Sequence, residues 1–154
     1  MNPQELISSA IALVEGVPHR IANMANLSAL LFDSLEDLNW VGFYLLEGDT
    51  LILGPCQGKP ACIEIPITKG VCGAAVREDR TQLVRDVHAF AGHIACDSAS
   101  RSELVIPLHA NGRVIAVLDL DSPTLNRFTD SDRVMLEQLA RSVEPHLFPY
   151  LSHP

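Results

Sequence analysis

The sequence predicts an α+β domain, a mostly antiparallel sheet with amphipathic helices packed on one face. Three observations lead there. Apolar residues recur at helical spacing through the first 37 residues and again after Thr129, while the chain between them alternates or runs apolar in short bursts. Two pairs of those bursts flank the tight-turn sequences Glu47-Gly48-Asp49 and Asn111-Gly112. The chain has 154 residues, 47 % hydrophobic and 19 % charged, enough for one packed core over residues 1–154 without disulfide staples.

Each element follows from local pattern. Leu6, Ile7, Ala10, Leu13 and Val14 share one helical face, and Pro18 punctuates. Ile21, Met24, Ala25, Leu27, Ser28, Leu31 and Phe32 repeat near 3.6 residues and predict a second helix. The pattern then changes to strand: residues 40–46 and 50–53 make a hairpin, and residues 62–66 a short third strand. A helix opens at Gly70-Val71-Cys72-Gly73, and residues 82–84 form a fourth strand. Residues 86–102 read as a long polar loop, a length that usually serves function. Strands over 103–109 and 114–121 pair around Asn111-Gly112, the strongest short hairpin signal. Thr129 and Asp132 then form a capping box for a last helix carrying Met135, Leu139, Val143 and Leu147, whose end Pro145 and Pro149 limit. Six strands result, with the face opposite the helices left for a ligand site under the 54–102 connection.

Composition narrows the function. The charge balance is −8 and no Lys or Arg residues cluster, so nucleic acid is not an expected partner. No stretch reaches the ~18 apolar residues of a membrane helix, and the N-terminus has no basic start or long apolar run, so no membrane association and a cytoplasmic protein are expected. Reduced thiols are the norm there, and four cysteines, Cys56, Cys62, Cys72 and Cys96, fall within 41 residues. They point to redox chemistry or to metal, against the alternative of small buried hydrophobes. A zinc site from Cys62, Cys72, His93 and Cys96 has suitable ligand types but lacks the close knuckle pairs of structural zinc sites, so no metal is expected.

Particular stretches then carry a resemblance. They are Asn39-Trp40-Val41-Gly42-Phe43-Tyr44, the segment 54–62 with Cys62, Gly70-Val71-Cys72-Gly73, His93-Ile94-Ala95-Cys96-Asp97, Ser102-Glu103, and Val117-Leu118-Asp119-Leu120-Asp121-Ser122. The element order resembles a GAF domain, and the three cysteines in register with these motifs make the chain similar to the free methionine-(R)-sulfoxide reductases. Cys56 departs from the family's catalytic set and reads as a bystander. A non-catalytic GAF sensor of a small ligand is the alternative, although a sensor has no need of three motif-placed thiols.

The resemblance implies reduction of free methionine sulfoxide by a thiolate, through a sulfenic acid and an intramolecular disulfide that thioredoxin re-reduces. It also implies a homodimer and no cofactor beyond those reducing equivalents. Cys96 is the expected nucleophile: it sits in the polar loop between His93 and Asp97, where a thiol can be exposed. Cys62 and Cys72 are the candidate resolving thiols. Cys72, at a helix N-terminus, is expected to have a lowered pKa, which also makes it the alternative nucleophile, ranked below Cys96 by the resemblance. Which of the two meets Cys96 is left open. Asp119 and Asp121 share one face of their strand while Leu118 and Leu120 face the helices. In the family, residues matching Glu103, Asp119 and Asp121 form an acidic substrate site. Close carboxylates raise one another's pKa, so one of them, Asp119 among them, can serve as the acid while others bind the substrate ammonium. Trp40 and Tyr44 share a face and suit the substrate's methyl end. His88 and His93 read as loop hydrogen-bonders. One conflict stands out: a regular two-residue turn at Asn111-Gly112 sets Glu103 opposite Leu120, on the wrong face, so a bulge or a longer loop is expected, with Pro107 as the site.

Overall fold

The computed structural model describes residues 1–94 and 96–149. In chain order the elements are α1 (Pro3–Val14), α2 (Arg20–Ser34), β1 (Trp40–Glu47), β2 (Thr50–Gly58), β3 (Glu64–Pro66), α3 (Gly70–Glu78), β4 (Gln82–Val84), β5 (Ser102–Ala110), β6 (Arg113–Ser122) and α4 (Asp130–Leu147). The strands form one six-stranded sheet in the order β3-β2-β1-β6-β5-β4, with every neighbouring pair antiparallel.

Strand alternation divides the interior into two apolar layers. Val41, Phe43, Leu104, Ile106, Leu118 and Leu120 face α1, α2 and α4. Trp40, Tyr44, Val105 and Val117 face the other way and pack with Val71, Cys72 and Ala75 of α3. The first layer is the larger core, to which α4 contributes Met135, Leu136, Leu139, Ala140, Val143 and Leu147. Each large side chain so buried stabilises the fold by roughly 1.5–3 kcal/mol. The second layer is thinner, and the site lies in it.

Several boundaries differ from expectation for physical reasons. β2 runs on to Gly58, beyond the four residues the pattern suggests, because it pairs with the full length of β1. The strand expected over 62–66 shortens to Glu64–Pro66, so Cys62 lies in the preceding loop rather than in the sheet. The long polar loop contains a short 3-10 turn over Val87–Ala89, whose N-cap Asp86 accepts from the His88 backbone N–H. Pro145 does not end α4. It sits in the last turn, and the helix continues to Leu147. The Thr129–Asp132 capping box forms as expected, with both reciprocal hydrogen bonds.

The conflict over Glu103 is resolved by a bulge. Ala110 pairs with Arg113 across a two-residue turn and His109 with Val114, but Leu108 pairs with Ala116. Ile115 is thus one extra residue in β6. From there the register shifts by one, and Glu103 falls opposite Asp121 with Val105 opposite Asp119. The irregularity lies between Leu108 and His109, one step from the expected Pro107, which keeps its regular partner Val117.

Candidate active site

Strand geometry gathers the acidic residues. Asp119 and Asp121 project from the α3 side of β6, and β5 adds Glu103 beside them. β1 completes the wall on the other side, since Trp40 lies opposite Asp121 and Gly42 opposite Asp119. The result is a cavity lined by Trp40, Tyr44, Cys72, Cys96, Glu103, Asp119 and Asp121, among others. Gly42 is what lets these elements close up. A Cβ there would lie 2.4 Å from Cys56 Cβ and 2.7 Å from the Trp40 ring.

The carboxyls are perturbed in the direction such crowding demands. Burial raises all three above the ordinary carboxylate range, and for Glu103 and Asp121 the Asp119 charge adds to the rise. Asp119 is raised least unambiguously, because hydrogen bonds from Glu103 and Cys72 favour its ionised form. Glu103 and Asp119 are buried, at 7 % and 5 % exposure. No Lys or Arg is among the described residues lining the cavity, so protons or a cationic ligand must balance this charge.

The thiols separate into a bonded pair and two free groups. Cys62 and Cys96 form a disulfide, with Cα atoms 5.3 Å apart. Of the two candidate partners, the structure brings Cys62 to Cys96 and leaves Cys72 free and buried. Cys72 does sit in the first turn of α3, yet its thiol is pushed well above the ordinary range, opposite to the lowering expected. Burial is the larger cause and the neighbouring Asp119 the next, and together they outweigh the helix terminus. Cys56 is half-buried on β2 opposite Gly42, away from the cavity lining, and burial raises its pKa too. His93 lines the cavity, and burial followed by the nearby His88 pushes its pKa down. Both causes disfavour its imidazolium form.

A GAF domain model matches residues 14–147. The free methionine-R-sulfoxide reductase of Escherichia coli is 54 % identical over 133 residues, covering 86 % of this chain and 81 % of that protein. The chain belongs to the free methionine-R-sulfoxide reductase family of GAF domains. Two solved members of this family have been captured with substrate. That from Staphylococcus aureus superposes with a TM-score of 0.90 at 53 % identity, covering 95 % of each chain. That from Neisseria meningitidis superposes at 0.92 and 41 % identity, covering 97 % of this chain and 89 % of its own. The family assignment makes the protein an oxidoreductase and its fold a GAF fold.

In this reductase-family fold some side chains have positions that sequence reasoning missed. Asn39 Nδ2 donates to Asp97 Oδ2 and to Ser100 Oγ, each at 3.0 Å, and so ties the start of β1 to the segment that follows Cys96. Trp40 Nε1 donates to the Lys59 carbonyl at 3.1 Å, and the Tyr44 hydroxyl donates to the Cys62 carbonyl at 2.9 Å. Burial, then the Asp119 charge, holds the Tyr44 phenol far above its ordinary pKa, so it remains a donor. The two aromatic residues therefore hold the loop bearing Cys62 as well as lining the cavity. Their spacing showed a shared face; hydrogen bonds to backbone carbonyls across a turn leave no trace in a sequence.

Proposed function

We propose that this protein reduces free L-methionine-(R)-sulfoxide to methionine with a cysteine thiolate. The observation that carries this reading is the Cys62–Cys96 disulfide beside a cavity lined by three carboxyls whose pKa values burial raises. Cys96 Sγ attacks the sulfoxide sulfur. The oxygen passes to Cys96, leaving a sulfenic acid, and the thioether departs. A carboxyl of the Glu103–Asp119–Asp121 group supplies a proton to that oxygen during transfer, which suits groups whose pKa values are raised. The Cys62 thiol then attacks the Cys96 sulfur, the disulfide forms and water leaves.

Selection of the free amino acid follows from charge. An ionised carboxylate of the group pairs with the substrate ammonium, which peptide-bound methionine lacks. Trp40 and Tyr44, with ring centroids 5.9 Å apart, take the methyl end. Thioredoxin re-reduces the disulfide in this scheme, and no further cofactor enters. The family resemblance suggests a homodimer, and the N-terminal sequence suggests a cytoplasmic setting. Among the described residues no helix is long and apolar enough to cross a membrane.

The test is chemical. Reduced protein with thioredoxin or dithiothreitol should form methionine from the free (R)-sulfoxide. Cys96→Ser should bring turnover to background. Cys62→Ser should permit one turnover, trapping a sulfenic acid detectable by mass spectrometry, and then stall with thioredoxin. Near-wild-type turnover by Cys96→Ser overturns the reading.

A further inference from the structure

We infer that Cys72, Glu103 and Asp119 form a binding site for one soft divalent transition-metal ion, of the Zn2+ or Cd2+ type. The three come from α3, β5 and β6, and one donor atom from each lies within 4.8 Å of the others. Bonds of about 2.0–2.3 Å to sulfur and oxygen need only a small inward shift from that spread. All three residues are more than nine-tenths buried, at 3 %, 7 % and 5 % exposure. The independent sign of a ligand is Asp119 Oδ1, a buried carboxylate oxygen in the cavity wall with no hydrogen-bond partner among the described residues.

The donor set selects the metal. Three protein ligands with the cavity open at a fourth position is the arrangement zinc accepts when it also carries an exchangeable ligand. One thiolate among the donors favours Zn2+ and Cd2+ over Mg2+ and Ca2+, which take oxygen. Binding moves a proton and no electrons: the Cys72 S–H bond breaks, the proton goes to solvent, and a sulfur–metal bond replaces it. The ion also supplies the positive charge that the described lining residues lack. This donor set is different from the Cys62–Cys72–His93–Cys96 group that knuckle spacing argued against. Two members of that group are consumed in the disulfide, whereas Cys72, Glu103 and Asp119 remain available with the disulfide closed.

The ion and the substrate of the proposed reaction would share Glu103 and Asp119, so the test uses the oxidised protein and no turnover, and its outcome does not depend on the reductase reading. The full chain with the Cys62–Cys96 disulfide closed is titrated with Cd2+. Binding is followed by equilibrium dialysis and by the ultraviolet thiolate-to-metal charge-transfer band. One equivalent should bind per chain, more tightly as pH rises, and Zn2+ should displace it. Cys72→Ser should lose the band and bind more weakly by about tenfold or more. Glu103→Gln should keep the band with binding weakened by a similar factor, and this variant decides the matter if Cys72→Ser fails to fold. Cys56→Ser should behave as the parent, removing the other free thiol from consideration. No saturable binding, a band that survives Cys72→Ser, a band lost in Cys56→Ser, or displacement by a modest excess of Mg2+ overturns the inference.

Discussion

Gly42 shows how one missing side chain shapes the site. β1 and β2 meet there with no room for a methyl group: its Cβ would sit 2.4 Å from Cys56 Cβ, 2.9 Å from Cys56 Cα and 2.7 Å from the Trp40 ring. Two of those atoms belong to the β2 residue paired with it, so relief requires moving a strand or turning Trp40 out of the cavity wall. Overpacking of this kind costs about 1–3 kcal/mol. Gly42→Ala should therefore lower the urea midpoint by a corresponding amount, and, by displacing Trp40, raise KM for the sulfoxide more than it lowers kcat. Unchanged stability and KM together would show that β1 and β2 can separate freely, contrary to this packing.

Elements, rather than single residues, decide which thiols meet. β1 contributes Tyr44, whose hydroxyl holds the Cys62 carbonyl, and Trp40, whose indole N–H holds Lys59, so one strand anchors the loop that brings Cys62 to Cys96. Tyr44→Phe keeps the ring and removes the anchor. It should leave the first, single-turnover formation of methionine nearly unchanged while slowing disulfide closure several-fold, as read by quench and mass spectrometry. Equal losses in both steps would place the hydroxyl in substrate binding instead. The same scale explains what was legible in the sequence. Helix periodicity, the Asn111-Gly112 turn and the Asp119/Asp121 alternation follow from local chemistry, and the need for a bulge followed from a clash between two such patterns. The bulge's position at Ile115 did not follow, because either strand near the turn can absorb the extra residue and packing decides. Nor did the fate of Cys72: its helix-terminal place is local, but its pKa is raised by burial in the assembled fold and then by Asp119, which arrives from a strand 47 residues later.

For the molecule as a whole, the site sets a pH dependence on the fold. Glu103, Asp119 and Asp121 titrate above the ordinary carboxylate range when folded and within it when unfolded. Between those two ranges the folded state holds protons that the unfolded state has lost, so stability falls as pH rises. At pH below the ordinary carboxylate range both states are protonated and this contribution vanishes. Cys72 and Tyr44, also raised, extend the decline into the alkaline range. The sign is opposite to that of a salt-bridged carboxylate, whose stability is lost on acidification. Each unit by which a folded pKa exceeds its unfolded value costs ~1.4 kcal/mol once pH has passed both. Glu103→Gln keeps the shape and a hydrogen-bond donor but removes one ionisation. It should unfold with the parent at acidic pH and become the more stable protein towards neutrality, by a gap that widens as pH rises. Urea unfolding of the two proteins across this range measures the gap directly, with the disulfide kept closed in both. Parallel stability curves, or a variant that loses ground as pH rises, would mean that Glu103 is already ionised and stabilised in the folded state, and that the proton for the sulfoxide oxygen must come from elsewhere.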